Sequence, residues 1–393
     1  QISADISAEI IPGSGVTYYL KLYNARHSRT LPKNYELDIL AVSSSWQEGN
    51  GLDMEGYSDE TYGGIGSNWV SASSTAAWTS EGGDYHASPA FSASFDRGDE
   101  DLEINVTTLV DQWLGSSKEN YGFGIKLSSS YEASSSANPS GAEFSYYTKK
   151  FFARSSEFYF KRPVLEARWN SVRKDNRGNF YFSSSLAPAA ENLNKLWMYN
   201  YIRGKLRDIA GDSNARPVLN LYKSSGSVPE GDAIYFRNSS DSAVNFLSAS
   251  RESTGVYSAQ FSVTSSAVDA DYPYLVDVWT MSGSELHTGS VIVPNDYGFS
   301  NYNPNTKYVV TIKNLKPKYI RGQTERFRLY VREKNWSPNI YTVAKTTPKN
   351  TLIESASYQI CRSSDQRIVI DYGTGSSAET MLSYDSDGNY FDL

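Results

Sequence analysis

Apolar and polar residues alternate along much of this chain with the period of two that a half-buried strand requires. Val16-Thr17-Tyr18-Tyr19-Leu20-Lys21-Leu22-Tyr23 reads as a strand. Tyr35-Glu36-Leu37-Asp38-Ile39-Leu40-Ala41-Val42 alternates cleanly and places Tyr35, Leu37 and Ile39 on one face. Further strands are predicted at 91–95, 121–127, 146–154 and 163–169. One segment has helical spacing instead. From Thr107 to Leu114, the residues Leu109, Val110, Trp113 and Leu114 make an apolar face, Thr107 or Thr108 supplies a cap, and Gly115 a stop. Between residues 46 and 94 runs a long Gly- and Ser-rich stretch with Trp46, Trp69 and Trp78. That length points to a functional loop, or to one packed by its own aromatics.

Past residue 169 the pattern shortens. Residues 170 to 194, with Asp175-Asn176-Arg177-Gly178 and Ser183-Ser184-Ser185, read as a linker. Short strands follow at 196–203, 217–223, 233–237, 256–263, 274–280 and 289–293, the spacing of an immunoglobulin-like sandwich. A third set, at 308–312, 327–332, 340–344, 356–362 and 367–370, reads as another sandwich cut short. The expectation is an all-β chain: a first sandwich over 1–168, a linker over 169–194, an immunoglobulin-like sandwich over 195–298 and a second one over 299–393. The start at Gln1 without Met, and the end just after a turn-like segment, lead to the further expectation of a piece of a longer chain.

Composition narrows the functional classes. Aromatics make up 14% of the 393 residues, with 30 Tyr, and charged residues 21%, which excludes a disordered tail and a heptad coiled coil. No run approaches the roughly 18 apolar residues of a spanning helix. The single Cys361 excludes an intramolecular disulfide framework and a cysteine zinc site, and its strand-like setting suggests a buried small hydrophobe. His27, His86 and His287 lie far apart, so no catalytic constellation, cofactor site or metal site is expected. The net charge of −7 conceals a polarity: −9 over 1–165, −2 over 166–299, +9 over 300–350 and −5 over 351–393. Between subunits, such an arrangement would steer assembly.

The first unit resembles the DNRLRE-like family of β-sandwich modules, related to carbohydrate-binding jelly rolls. The resemblance rests on Ser45-Trp46-Gln47-Glu48-Gly49, the loop with Trp69 and Trp78, the run from Leu102 to Leu114, Asn120-Tyr121-Gly122-Phe123-Gly124-Ile125, and Arg162-Pro163-Val164-Leu165-Glu166. It implies a jelly roll over residues 1 to about 168 whose opening strands are missing. The chain as a whole is similar to virion structural proteins of tailed marine phages, cyanophages among them. The segments that carry this are 46–57, Lys174-Asp175-Asn176-Arg177-Gly178-Asn179-Phe180-Tyr181, Arg332-Glu333-Lys334-Asn335-Trp336-Ser337-Pro338, and 384–393. The resemblance implies a non-enzymatic particle component at the neck, tail or fibre attachment, extracellular when mature. Its expected partners are other virion proteins and copies of itself in a ring or fibre. Neither nucleic acid nor membrane is expected.

Two groups of residues are candidates for contact. Trp69, Trp78 and Tyr85 could stack on the apolar face of a sugar, the alternative role of a glycan-binding module on a fibre or adhesin reading a host surface glycan; the competing role is packing of their own loop. Lys318, Arg321, Arg326, Arg328, Arg332 and Lys334 form a basic stretch in which Arg326, Arg328, Tyr330 and Arg332 share one strand face. An acidic protein neighbour is the preferred partner for it over nucleic acid. Asp53, Glu55, Asp59, Glu60 and Asp84 are hard-oxygen candidates for Ca²⁺, set against a plain acidic surface. Asp385-Ser386-Asp387-Gly388-Asn389 begins like an EF-hand loop, lacks its later Glu, and reads better as a turn.

Overall fold

The structure, a computed structural model, describes residues 1–26, 31–49, 66–135, 138–296, 306–320, 322–337, 350–373 and 378–393. The chain is all-β, and among the described residues its α-helices are Ile2–Ser7 and Thr107–Leu114. It divides into two compact units, Gln1–Trp169 and Asn170–Leu393.

The first unit is a sandwich of two three-stranded antiparallel sheets. One has the order Leu102–Asn105, Val16–Leu22, Val164–Trp169, and the other Tyr85–Phe95, Tyr35–Val42, Phe123–Leu127. Alternation decides which side is buried. Tyr18, Leu20 and Leu22 point inward from one sheet, and Tyr35, Leu37 and Ile39 from the other, into one shared core. Tyr35 stacks on Phe95 with ring centroids 5.4 Å apart. The helix Thr107–Leu114 closes one end with Leu109 and Val110 fully buried. Its start is fixed by Asn105, whose Oδ1 accepts the Thr107 N–H at 3.0 Å and the Thr107 hydroxyl at 2.6 Å. Thr107, expected as a cap, is the first helical residue, and its hydroxyl oxygen accepts the Tyr18 N–H at 2.9 Å. The strand expected at 146–154 is replaced by irregular chain with a single bridge from Phe151 to Asn24.

The second unit has two sheets over a larger core. The first runs Asn194–Tyr199, Val256–Ser262, Phe236–Asn238, Ala243–Val244, with Ser250–Ser253 also on Val256–Ser262. The second runs Leu247–Ser248, Val218–Ser224, Tyr274–Met281, Ser284–Thr288. Leu196, Phe261, Leu219, Leu221 and Trp279 are fully buried between them. A further antiparallel sheet, Tyr308–Ile312, Arg326–Glu333, Gly388–Asp392, Ser383–Asp385, has a small core of Leu329, Val331 and Leu382.

Residues 169–194 are not a linker. Phe180 is fully buried and Phe182 nearly so in the core of the second unit, and Phe180–Tyr181 pairs in parallel with Pro294–Asn295. A large aromatic side chain gains on the order of 2–3 kcal/mol from such burial, which holds the segment down. Asn194, also buried, donates to the Tyr181 carbonyl at 2.9 Å. Cys361, expected to be buried, is exposed near the end of the short strand Ile360–Cys361. The expected strand at 289–293 reduces to one bridge between Ile292 and Leu275, and the one expected at 340–344 lies outside the described residues.

Candidate functional site

The loop that carries Trp69, Trp78 and Tyr85 is built by its own short polar residues. Asn68 Oδ1 accepts the N–H groups of Val70 and Ser71 at 3.0 and 2.6 Å, an Asx turn that starts the small hairpin Ser71–Ser73/Ala76–Ala77. Asp84 Oδ2 accepts the Thr79 N–H and its Oδ1 the Ser80 N–H, both at 3.0 Å. These bonds, that from Thr79 first, hold the Asp84 carboxyl below its usual range.

Two of the three aromatics are committed to this framework. Trp78 Nε1 donates to the Asn68 carbonyl at 2.8 Å. The Tyr85 hydroxyl donates to the Gly82 carbonyl at 2.7 Å, and a Cβ at Gly124 would sit 2.0 Å from its ring, so the ring needs glycine beneath it. Burial, with the nearby Asp84 charge, raises the Tyr85 hydroxyl above its ordinary pKa. Trp69 differs from both. It lies over Gly82, where a Cβ would come within 2.9 Å of the indole, and it remains 41% exposed. It is the member of the trio able to offer a stacking face. Asp53, Glu55, Asp59 and Glu60 lie outside the described residues. No group of three or more metal-ligating side chains occurs among the described ones.

The basic strand face exists where alternation placed it. Along Arg326–Glu333, Phe327, Leu329 and Val331 are buried, while Arg326, Arg328, Tyr330 and Arg332 look the other way. Its charge is largely answered from within the chain. Arg326 makes two bonds to Asp392 at 2.8 and 3.0 Å, with its guanidinium 4.1 Å over the Tyr390 ring. Arg328 makes two to Asp385 at 2.9 and 2.8 Å, and Asp387 stands 3.8 Å from it. Both arginines thus hold the C-terminal hairpin through ion pairs within the chain. The hairpin turn is also where the Asp385–Asn389 segment ends up: Asp385 Oδ1 accepts the Asp387 N–H at 2.9 Å, as an Asp-rich turn would. Arg332, Lys318 and Lys334 have no ion-pair partner among the described residues, and Arg321 lies outside them.

Exposed aromatics that strand patterning did not single out lie in the first unit. Phe144, Tyr146, Phe158, Tyr159 and Phe160 are all exposed, Phe160 at 80%. Cations lie over Tyr159 and over rings that neighbour this group. The Arg162 guanidinium sits 5.5 Å from the Tyr159 ring and donates to the Ser156 carbonyl at 2.8 Å. Lys161 lies 5.5 Å from the Tyr23 ring and 5.9 Å from that of Phe152, which packs edge-on against Phe158. The available signal was the run Phe158-Tyr159-Phe160, three consecutive aromatics that no alternation can bury together.

The second unit holds a charged cluster inside. Arg177 donates to Asp175 at 2.6 Å, to Asp277 at 2.5 Å and to the Trp197 carbonyl at 3.0 Å. Asp277, with no exposed surface, also accepts Trp279 Nε1 at 2.6 Å, and a Cβ at Gly289 would overlap its carboxylate. Two carboxylates thus share one guanidinium. Burial outweighs the Arg177 charge and raises the Asp175 carboxyl above its ordinary pKa. The cluster is enclosed and satisfied, which fits a structural tie. His86 is half-buried on a strand, His287 is exposed, and His27 lies outside the described residues. No family model, curated protein or solved structure matches this chain.

Proposed function

We propose that this chain is a structural component of a tailed-phage virion, at the neck or collar, the tail or the fibre attachment, and that it works by protein–protein assembly. In this reading the first unit is a jelly roll of the DNRLRE-like kind, and the second combines two immunoglobulin-like sandwiches. The reading draws on the ordered segments that resemble such proteins. The observation that carries it is the exposed aromatic surface around Phe158, Tyr159 and Phe160 with Lys161 and Arg162 at its edge. Contiguous exposed aromatics mark contact surfaces, and Tyr, Phe and Arg are enriched in the centres of protein interfaces. No catalytic step, cofactor, membrane or nucleic acid is part of the proposal, and the chain would reside in the extracellular particle with virion proteins and copies of itself as partners. Mass spectrometry and cryo-electron microscopy of purified particles test it. The chain is expected in stoichiometric amount, and its absence from particles sinks the proposal. A Phe158→Ser/Phe160→Ser variant that folds normally is expected to lose incorporation.

The open indole face of Trp69 favours one alternative, a glycan-binding module. A glycan array with the folded chain decides it: saturable binding lost in Trp69→Ala supports a sugar platform, and no binding removes it. Trp78→Ala is a poorer probe, because Trp78 helps to build the loop.

A further inference from the structure

The last sheet of the second unit ends in a strand whose open side is shaped to take another strand. Tyr308–Ile312 pairs with Arg326–Glu333, and among the described residues it has no partner on its other side. The Lys334 N–H donates to the Lys307 carbonyl at 2.7 Å and the Lys313 N–H to the Arg328 carbonyl at 2.9 Å. Odd-numbered residues therefore face the paired strand. The N–H and C=O groups of Tyr308, Val310 and Ile312 point to the open side.

Beside this edge runs an apolar cleft of about 380 Å³, lined by Val310, Ile312, Leu329, Val331, Tyr358 and Phe391 among others. Val310 remains 56% exposed. Cations flank the strand. Lys307 precedes it, Lys313 follows it, Arg332 stands opposite Val309, and Lys334 opposite Lys307. None of the four has an ion-pair partner among the described residues; the carboxylates of Glu325, Asp392 and Asp385 go to Lys316, Arg326 and Arg328, and Glu333, opposite Tyr308, is the one acidic side chain on the paired strand.

We propose that this edge receives an extended strand from a different protein, one with apolar side chains at alternate positions and acidic ones between or beside them. Backbone pairing with Val310 and its neighbours would supply affinity, the cleft would take the apolar side chains, and the lysines and Arg332 would select for acid. A second copy is the poorer donor. The chain's own segments of this kind are taken up by the first unit: Tyr35-Glu36-Leu37-Asp38-Ile39 is a central strand with Tyr35, Leu37 and Ile39 buried, and Asp101-Leu102-Glu103-Ile104 lies in the strand Leu102–Asn105 with Leu102 buried against Val16–Leu22. The inference names the kind of partner an assembly role would use, yet its test does not depend on the chain's place in a particle.

The test is calorimetric titration of the full chain with a synthetic peptide of alternating valine and glutamate, about six residues long. Saturable binding is expected, weakening with salt, and a valine–lysine peptide of equal length is expected not to bind. Val310→Pro removes a backbone donor that the sheet itself does not use, and is expected to weaken binding at least about tenfold while far-UV circular dichroism is unchanged. Lys313→Glu leaves the backbone intact and is expected to weaken binding severalfold, which keeps the idea testable if the proline variant misfolds. Absence of binding by the folded chain, or equal binding by both variants, overturns the proposal. Concentration-dependent self-association that Val310→Pro abolishes would overturn the choice of a different protein as donor.

Discussion

The two units contain the same short motif, acid-x-Arg, and use it in opposite ways. In the first, Glu166 and Arg168 lie on the strand Val164–Trp169 and join Lys21 and Glu103 in a partly exposed network, with Arg168–Glu166 at 2.5 Å and Lys21–Glu166 at 3.0 Å. In the second, Asp175 and Arg177 begin a 3-10 turn and reach inward to Asp277. Distances are nearly equal, so geometry does not separate them; burial does. The partly exposed network is worth less, because water still reaches its carboxylates. The buried one is costly to assemble and costlier to break, because removing one partner strands a charge in a medium that cannot solvate it.

Buried tyrosines repeat the contrast. Tyr35 in the first core has no hydrogen-bond partner for its hydroxyl among the described residues. Burial, with the Glu100 charge, pushes that hydroxyl up to about 12. Tyr257 in the second core accepts the Ile209 N–H at 3.1 Å and donates to Asp208 at 3.4 Å, and Asp208 is itself clamped by Arg251 at 3.0 Å. The first unit keeps a nearly all-apolar interior, whereas the second takes polar groups in and satisfies them.

Substitution can break this comparison. Arg177→Met should destabilise the second unit by about 3–5 kcal/mol in chemical denaturation, whereas Arg168→Met should cost the first unit less than about 1 kcal/mol. Equal losses would mean that the cluster around Arg177 is wetter than its burial indicates. Tyr257→Phe should cost about 1–3 kcal/mol, since it leaves the Ile209 N–H without an acceptor, while Tyr35→Phe should be neutral or slightly stabilising. Thermal melts of the two variants check the difference in sign.

Titration sharpens the comparison further, with opposite slopes. Burial opposes ionisation of Glu166, but the hydrogen bonds from Arg168 and Lys21 outweigh it, and its pKa lies below the ordinary value. Its contribution is therefore present above that ordinary value and is lost as pH falls through the depressed one. Asp175 is shifted upward, mainly by burial, so its contribution is full below the ordinary value and declines as pH rises through the raised one. Side-chain carboxyl resonances followed by NMR should show Asp175 titrating above, and Glu166 below, an unfolded reference. The reverse order would refute the assignment.

Periodicity was a good guide wherever the deciding pattern was local. The inward faces of Val16–Leu22, Tyr35–Val42 and Arg326–Glu333 follow from alternation, because the pleat fixes the side of each residue without reference to the rest of the chain. It misled at 169–194, where Asp, Asn, Gly and Ser suggest a free linker, because the anchor is two aromatic side chains whose cavity is built by distant strands. It also misjudged Cys361, whose exposure depends on what packs against it.

The amino-acid sequence alone determined that this is an all-β protein, which residues share a strand face, and where its basic and acidic stretches lie. Only tertiary structure decided what those charges do. Arg326 and Arg328 find Asp392 and Asp385 across 66 and 57 residues of chain, and Arg177 finds Asp277 across 100. Such pairs are invisible to any window of sequence, because the energy of a charge depends on the neighbours and the water that folding leaves beside it.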